Sequence, residues 1–146
     1  MRGPYRKRRI HEPPAFKSFK PGGVPAKLLK TITLTVDEYE AIRLADYEGM
    51  DHLNAADSMQ ISRPTFSRVV ERARFKIAQA LIDGFELFVS GGNIEFAQTR
   101  HRCRDCGDEF SGFNNQKNKD CPGCGSENIH NVADDFINYK RKDGKK

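Results

Sequence analysis

All four cysteines of this 146-residue chain fall between positions 103 and 124, in "CRDCGDEF" and "CPGCGSENI", two C-x-x-C-G pairs separated by 14 residues. No other feature restricts what its segment can fold into as tightly. Each pair offers two thiolates from one tight turn, whose glycine leaves backbone amides free to point at sulfur. Four soft ligands at this spacing suit one tetrahedral cation. Cys103, Cys106, Cys121 and Cys124 are therefore expected to hold one structural Zn2+ in a small β zinc ribbon over residues 99–133. Four protein ligands leave no position for water, so the metal is read as structural rather than catalytic. Iron in a rubredoxin-like site is the alternative that thiolates alone leave open. Phe110 and Ile129 follow their knuckles at strand positions and are expected to form the ribbon's core, whereas His101 and His130 are expected on its surface.

Upstream, "SMQISRPTFSRVVERAR" over residues 58–74 carries a helix start at its front edge. Ser62 is a favoured cap. With Pro64 at the second helical position the Ser62 hydroxyl must accept from the amide of Thr65, because proline has no N–H to offer; with Arg63 as the boundary Pro64 is instead the first helical residue, and either way a helix starts here. The helix runs to Leu81 or Ile82 and stops at Asp83-Gly84. At roughly 100° per residue its inner side is expected to carry Phe66, Val69, Val70, Ala73, Ile77, Ala80 and Leu81, and its outer side Thr65, Arg68 and Arg72. Phe75, Ala78 and Ile82 fall away from the inner stripe, which suggests a second packing partner: the arm, the segment from Glu86 onward, or another subunit.

Two shorter helices precede it. "TLTVDEYEAIRLADYEGM" has capping-box spacing at Thr35 and Glu38, with Tyr39, Ile42 and Ala45, flanked by Leu44, as the expected buried stripe and Gly49 as the stop. "DHLNAADSM" is capped by Asp51 and is expected to bury Leu53, Ala55, Ala56 and Met59. A three-residue turn, Met59-Gln60-Ile61, follows. A short helix, a tight turn and a longer helix with polar residues in its first half is the order of a DNA-reading helix-turn-helix. Arg63, Thr65, Ser67, Arg68 and Arg72 are the candidates for duplex contact.

Charge is distributed unevenly around that unit. Residues 1–34 carry nine Lys/Arg against one Glu, or +8; residues 35–61 carry one Arg against seven acids, or −6; residues 62–85 return to five against two, or +3. The basic, Pro- and Gly-rich arm over residues 1–30 is expected to be extended, with Arg6, Lys7, Arg8 and Arg9 along phosphates or in a minor groove, and Phe16 and Phe19 pinning its second half. The carboxylates Asp37, Glu38 and Glu40 are read as a helix N-terminus. Together with the lack of a glycine-rich phosphate loop or a nucleophile beside a base, this argues against an enzyme. "ELFVSGGNIEFA" reads as strand, Gly-Gly turn and strand, making residues 85–98 a β-hairpin or linker, and residues 134–146 read as a basic tail. No stretch is apolar enough for a membrane span, and the charged start has no apolar run behind it, so a cytoplasmic protein is expected.

The run "LTVDEYEAIRLADYEGM...AADSMQISRPTFSRVVERAR", with "FKPGGVP" before it, resembles the small bacterial and archaeal proteins grouped as domain-of-unknown-function family 134. The resemblance spans roughly residues 5–92 and implies a helix-turn-helix similar to region four of sigma factors over residues 31–84. The expected architecture is a mainly α helix-turn-helix domain followed by a small β zinc ribbon. The expected partners are double-stranded DNA, the transcription machinery and, in a two-fold dimer, a second copy. A protein-protein adaptor that uses both modules without reading DNA is the alternative.

Overall fold

A computed structural model describes residues 7–98, 100–111 and 120–137, so Arg6 and the end of the expected basic tail lie outside them. Three helices form the centre. Helix α1 (Val36–Ile42) opens with the expected capping box, in which the Thr35 side chain accepts from the amide of Glu38 while the Glu38 carboxylate takes the amide of Thr35 at 2.9 Å. It continues into a π-helical turn, Arg43–Tyr47. Helix α2 (His52–Met59) is capped by Asp51, and the chain then takes a left-handed conformation at Gln60, φ 58 and ψ 43. Helix α3 (Arg63–Asp83) starts at Ser62, whose hydroxyl accepts from the Thr65 amide at 3.3 Å, and ends at left-handed Gly84.

These helices form one long crossover between two parallel strands. Strand β3 (Thr31–Leu34) enters α1 and β4 (Glu86–Val89) leaves α3; the two pair in parallel, with β2 (Ser18–Phe19) antiparallel on the other edge of β4. Strand β1 (Arg8–Ile10) pairs in parallel with β5 (Ile94–Phe96). The arm is thus partly woven into the body. Ile10, Pro13 and Pro14 are buried, whereas Phe16 and Phe19 are 68% and 49% exposed, so the pins are not the aromatic pair expected.

The expected hairpin is also corrected, because β4 and β5 pair with different strands and not with each other. The Gly91-Gly92 turn between them packs on the start of α1 instead. The Gly91 carbonyl accepts from the Val36 amide at 3.0 Å, and a Cβ on Gly92 would lie 2.7 Å from an Asp37 oxygen. The glycines serve close approach rather than strand reversal.

The core joins Ile10, Leu34, Val36, Ala41, Leu44, Ala55, Ala56, Met59, Phe66, Val69, Val70, Ala73 and Val89. Three expectations shift here. Tyr39, Ile42 and Ala45 are only half-buried, and the acids Asp37, Glu38 and Glu40 of α1 are buried beside Val36 and Ala41. Leu53 and Leu81, expected inside, are 58% and 79% exposed.

The C-terminal part is a three-stranded antiparallel sheet in the order β7 (Glu109–Ser111), β6 (Arg100–Cys103), β8 (Ile129–Asn131). It is followed by a single helical turn, α4 (Asp134–Ile137), where the basic tail was expected to begin. Val132 and Phe136 from this end are each 2% exposed and belong to the same core as Ile10 and Val89.

Candidate functional site

The sheet β7–β6–β8 sets two knuckles face to face. Cys103 ends β6, and the turn that follows carries Cys106; the second knuckle turns at Cys121–Cys124 before β8. The amides of Cys106 and Gly123 donate to the sulfurs of Cys103 and Cys121 at 3.5 and 3.3 Å. All four Sγ atoms lie within 4.8 Å of one another, with Cys103–Cys124 at 3.6 Å and Cys106–Cys121 at 3.5 Å. A tetrahedron with arms of about 2.3 Å has edges of about 3.8 Å, so a metal ion fits this cluster. The thiols do not ionise alike. The Cys106 amide pulls Cys103 down to about 7. Cys106 receives a lowering hydrogen bond from the Asp108 backbone, yet burial and the neighbouring sulfurs push it up to about 12. Four thiolates this close would repel one another, and a cation held among them would offset that repulsion.

The flanking histidines have fold-internal roles. His101 stacks on Phe110 with ring centres 5.8 Å apart, and burial, followed by the proximity of His130, holds its imidazole below the usual range. His130 bridges Asp135 at 2.9 Å and Arg104 at 3.1 Å. Phe110 and Ile129 sit on β7 and β8 at half-buried positions.

The second candidate surface is the start of α3. Arg63 and Arg68 are exposed; Arg68 reaches only the Thr65 hydroxyl, at 3.5 Å, and Arg63 makes no ion pair among the described residues. Thr65 is half-buried and hydrogen-bonded to Ser62 at 2.8 Å. Ser67 instead faces α2, its hydroxyl 2.8 Å from His52 Nδ1, while the His52 ring stands edge-on to Phe66. Arg72 has its Nε 3.5 Å from Glu38 Oε2, yet its side chain stays 61% exposed.

The acidic and basic halves seen in the sequence meet inside the fold. Lys76 donates to Glu38 at 2.7 Å and to the Thr33 carbonyl at 2.9 Å, and Arg74 binds Asp46 through two contacts of 2.7 and 3.0 Å. The Arg74 guanidinium thereby holds the Asp46 carboxyl below its ordinary range. Glu40, 2% exposed, receives Arg43 at 2.6 Å and the His11 amide at 2.7 Å. Arg8 of the arm is bound to buried Asp37 and so is committed to the fold. Lys7 and Arg9 are exposed, Arg9 bordering a polar cavity of about 390 Å³ with His11, Glu40 and Arg43. Apart from Glu40 and Arg43, which are three residues apart, these partnerships had no signal in local spacing, because partners such as Arg8 and Lys76 lie far from the acids in sequence.

Fold and site together define a helical domain clasped by short parallel strand pairs and completed by a small β region with clustered cysteines. The chain belongs to the family described as "Protein of unknown function DUF134", whose model matches residues 1–97. It is 50% identical over 140 residues to a UPF0251 protein of Chloroherpeton thalassium, covering 96% of this chain and 93% of that one. It is 42% identical over 132 residues to a UPF0251 protein of Pelotomaculum thermopropionicum, covering 90% and 99%, and 40% identical over 138 residues to one of Methanothermobacter thermautotrophicus, covering 94% and 71%. The first match leaves only the chain's ends outside, so the cysteine region shares in the likeness although the family model stops before it. No solved structure matches the chain. Among the described residues no helix is long and apolar enough to cross a membrane.

Proposed function

We propose that this is a cytoplasmic DNA-binding protein, a transcription regulator rather than an enzyme, which meets duplex DNA with the first two turns of α3 and holds one structural Zn2+ in its thiolate cluster. The observation that carries the reading is the Ser62-capped start of α3, with Arg63 and Arg68 exposed while α2 backs the helix through Ala55 and Ala56. Helix α2, the left-handed turn at Gln60 and α3 follow the helix-turn-helix order, in which the second helix enters a major groove about 12 Å wide. Arg68 suits the acceptors of guanine, and the Arg63 guanidinium at the positive end of the helix suits a phosphate. Arg72 is a weaker contact because Glu38 shares it, and Ser67 supports the helix pair from behind. Lys7 and Arg9, with Arg6 beyond them, suit backbone phosphates. The zinc staples the β region without chemistry of its own.

The test is a fluorescence-anisotropy titration of metal-loaded protein against mixed duplexes at low salt, where phosphate contacts are strongest. Binding is expected, with a Arg63→Ala/Arg68→Ala chain about tenfold or more weaker at unchanged fold. Failure of the wild-type chain to bind at low salt overturns the reading. A second reading, an adaptor of the transcription machinery, is favoured by an apolar groove of about 500 Å³ walled by Phe19, Tyr39, Ile42, Tyr47, Ile77 and Leu87. Capture of purified polymerase subunits by a chain that binds no duplex selects the adaptor.

A further inference from the structure

Helix α3 has two working faces. The inner one, Phe66, Val69, Val70, Ala73 and Ala80, is buried in the core or at its edge. On the opposite side, positions 64, 68, 71, 75, 78 and 82 alternate steps of four and three, and so form one straight stripe. Its first half is Pro64, Arg68 and Glu71; its second is Phe75, Ala78 and Ile82. Phe75 is 67% exposed and Ile82 80%, with Leu81 on the border at 79%.

A contiguous apolar helix face in water marks contact with another surface. Among the described residues neither the arm nor β4 nor β5 covers it, which removes two of the three partners the sequence allowed. Residues 1–6, 112–119 and 138–146 are mainly polar or basic, and their scattered Met1, Tyr5, Phe113 and Tyr139 form no apolar stripe of their own to match it.

We infer that a second copy of this chain covers the stripe, the two α3 helices running antiparallel about a two-fold axis beside Ala78 and Gln79. The stripe is self-complementary in that arrangement. Phe75 of one copy meets Ile82 of the other, the small Ala78 residues allow close approach at the centre, and Gln79 meets its own copy. Charge agrees: Arg72 and Asp83, both exposed, lie on the same side of the stripe, so the antiparallel register brings Arg72 of one copy alongside Asp83 of the other. A standard interface takes about 800 Å² from each partner, more than one short helix seam supplies. Leu81 also borders an apolar groove of about 420 Å³ that Phe19 and Pro21 wall, and Phe16 touches Phe19, so the seam broadens onto further exposed apolar surface.

The consequence for DNA rests on the proposed reading. Arg68 and Arg63 lie roughly 10 to 16 residues from the seam centre, or about 16 to 23 Å at 1.5 Å per residue. The two reading ends then stand about 32 to 46 Å apart, a range that contains the 34–36 Å between half-sites one helical turn apart.

Sedimentation equilibrium of the metal-loaded full chain without DNA tests the seam. Twice the 16.6 kDa chain mass is expected. Phe75→Glu, Ile82→Glu and the helix-compatible Ala78→Lys should each return the single-chain mass at unchanged circular dichroism, because all three positions are exposed. A single-chain mass up to about 100 µM overturns the inference. So does a dimer that survives all three substitutions, since it must use another surface. The DNA reading is separable: Arg63→Ala/Arg68→Ala that stays dimeric yet loses duplex binding upholds the seam, whereas a monomeric wild type that still binds a half-site removes the seam alone.

Discussion

Gln60 holds φ 58 and ψ 43 between α2 and α3, and it is the one described residue other than glycine with a positive φ. A side chain in that region costs about 1–2 kcal/mol, which glycine avoids while giving back part of the gain through a freer unfolded chain. Gln60→Gly is therefore expected to stabilise the protein by about 0.5–1 kcal/mol, read as a higher urea midpoint at unchanged slope. A lower midpoint would mean that the Gln60 side chain contributes something the backbone argument misses. The same single-residue resolution separates neighbours on α3. Ser67 and Arg68 are adjacent, yet helical rotation turns one to His52 and the other to solvent, so only Arg68 is open to the proposed duplex.

At the scale of elements, α3 was legible because its signals are local: Ser62 before it, Gly84 after it, and an apolar stripe between. The knuckle spacing gave the thiolate cluster for the same reason. Helix α1 was harder to read. Only the pairing of Glu40 with Arg43, three residues on, is a local pattern; Asp37 and Glu38 look like surface charge until Arg8, Arg72 and Lys76 are brought to them, and nothing local announces an ion pair with a strand or a helix far along the chain. The strands misled in a related way, since Gly-Gly between two apolar runs is a hairpin signal and only the packing of α1 against Gly91 and Gly92 shows otherwise. The pair between α1 and α3 can be tested directly. Glu38 is 1% exposed, so Lys76→Met leaves a buried charge with only the exposed Arg72 near it, at an expected cost of about 3 kcal/mol. Adding Glu38→Gln keeps an acceptor for Thr35 and removes the charge, and should restore more than half of that loss in urea melts. A single variant within about 0.5 kcal/mol of wild type would show that the pair is screened rather than structural.

For the whole molecule, the β region and the helical domain share one core rather than standing as beads on a string. Strand β8 runs from the second knuckle into Val132 and Phe136, which fill the cluster around Ile10, while the Arg100 guanidinium donates to the Pro14 carbonyl at 2.7 Å and Lys17 faces Asp135 at 3.5 Å. The register of β6 and β8 depends on where the two knuckles sit, and the proposed metal would fix the knuckles. Loss of the metal should then loosen Phe136 and, through Ile10, the strand β1 that seats the basic arm. Removing the metal with a chelator is expected to lower the helical melting temperature, followed by circular dichroism, by more than about 10 °C in one cooperative transition. Phe136→Ala, which empties the same part of the core without touching a thiolate, should destabilise the loaded protein by about 3–5 kcal/mol. Two separate transitions after chelation, with the helices melting where they did before, would show that the domains are independent and that Val132 and Phe136 only fill space between them.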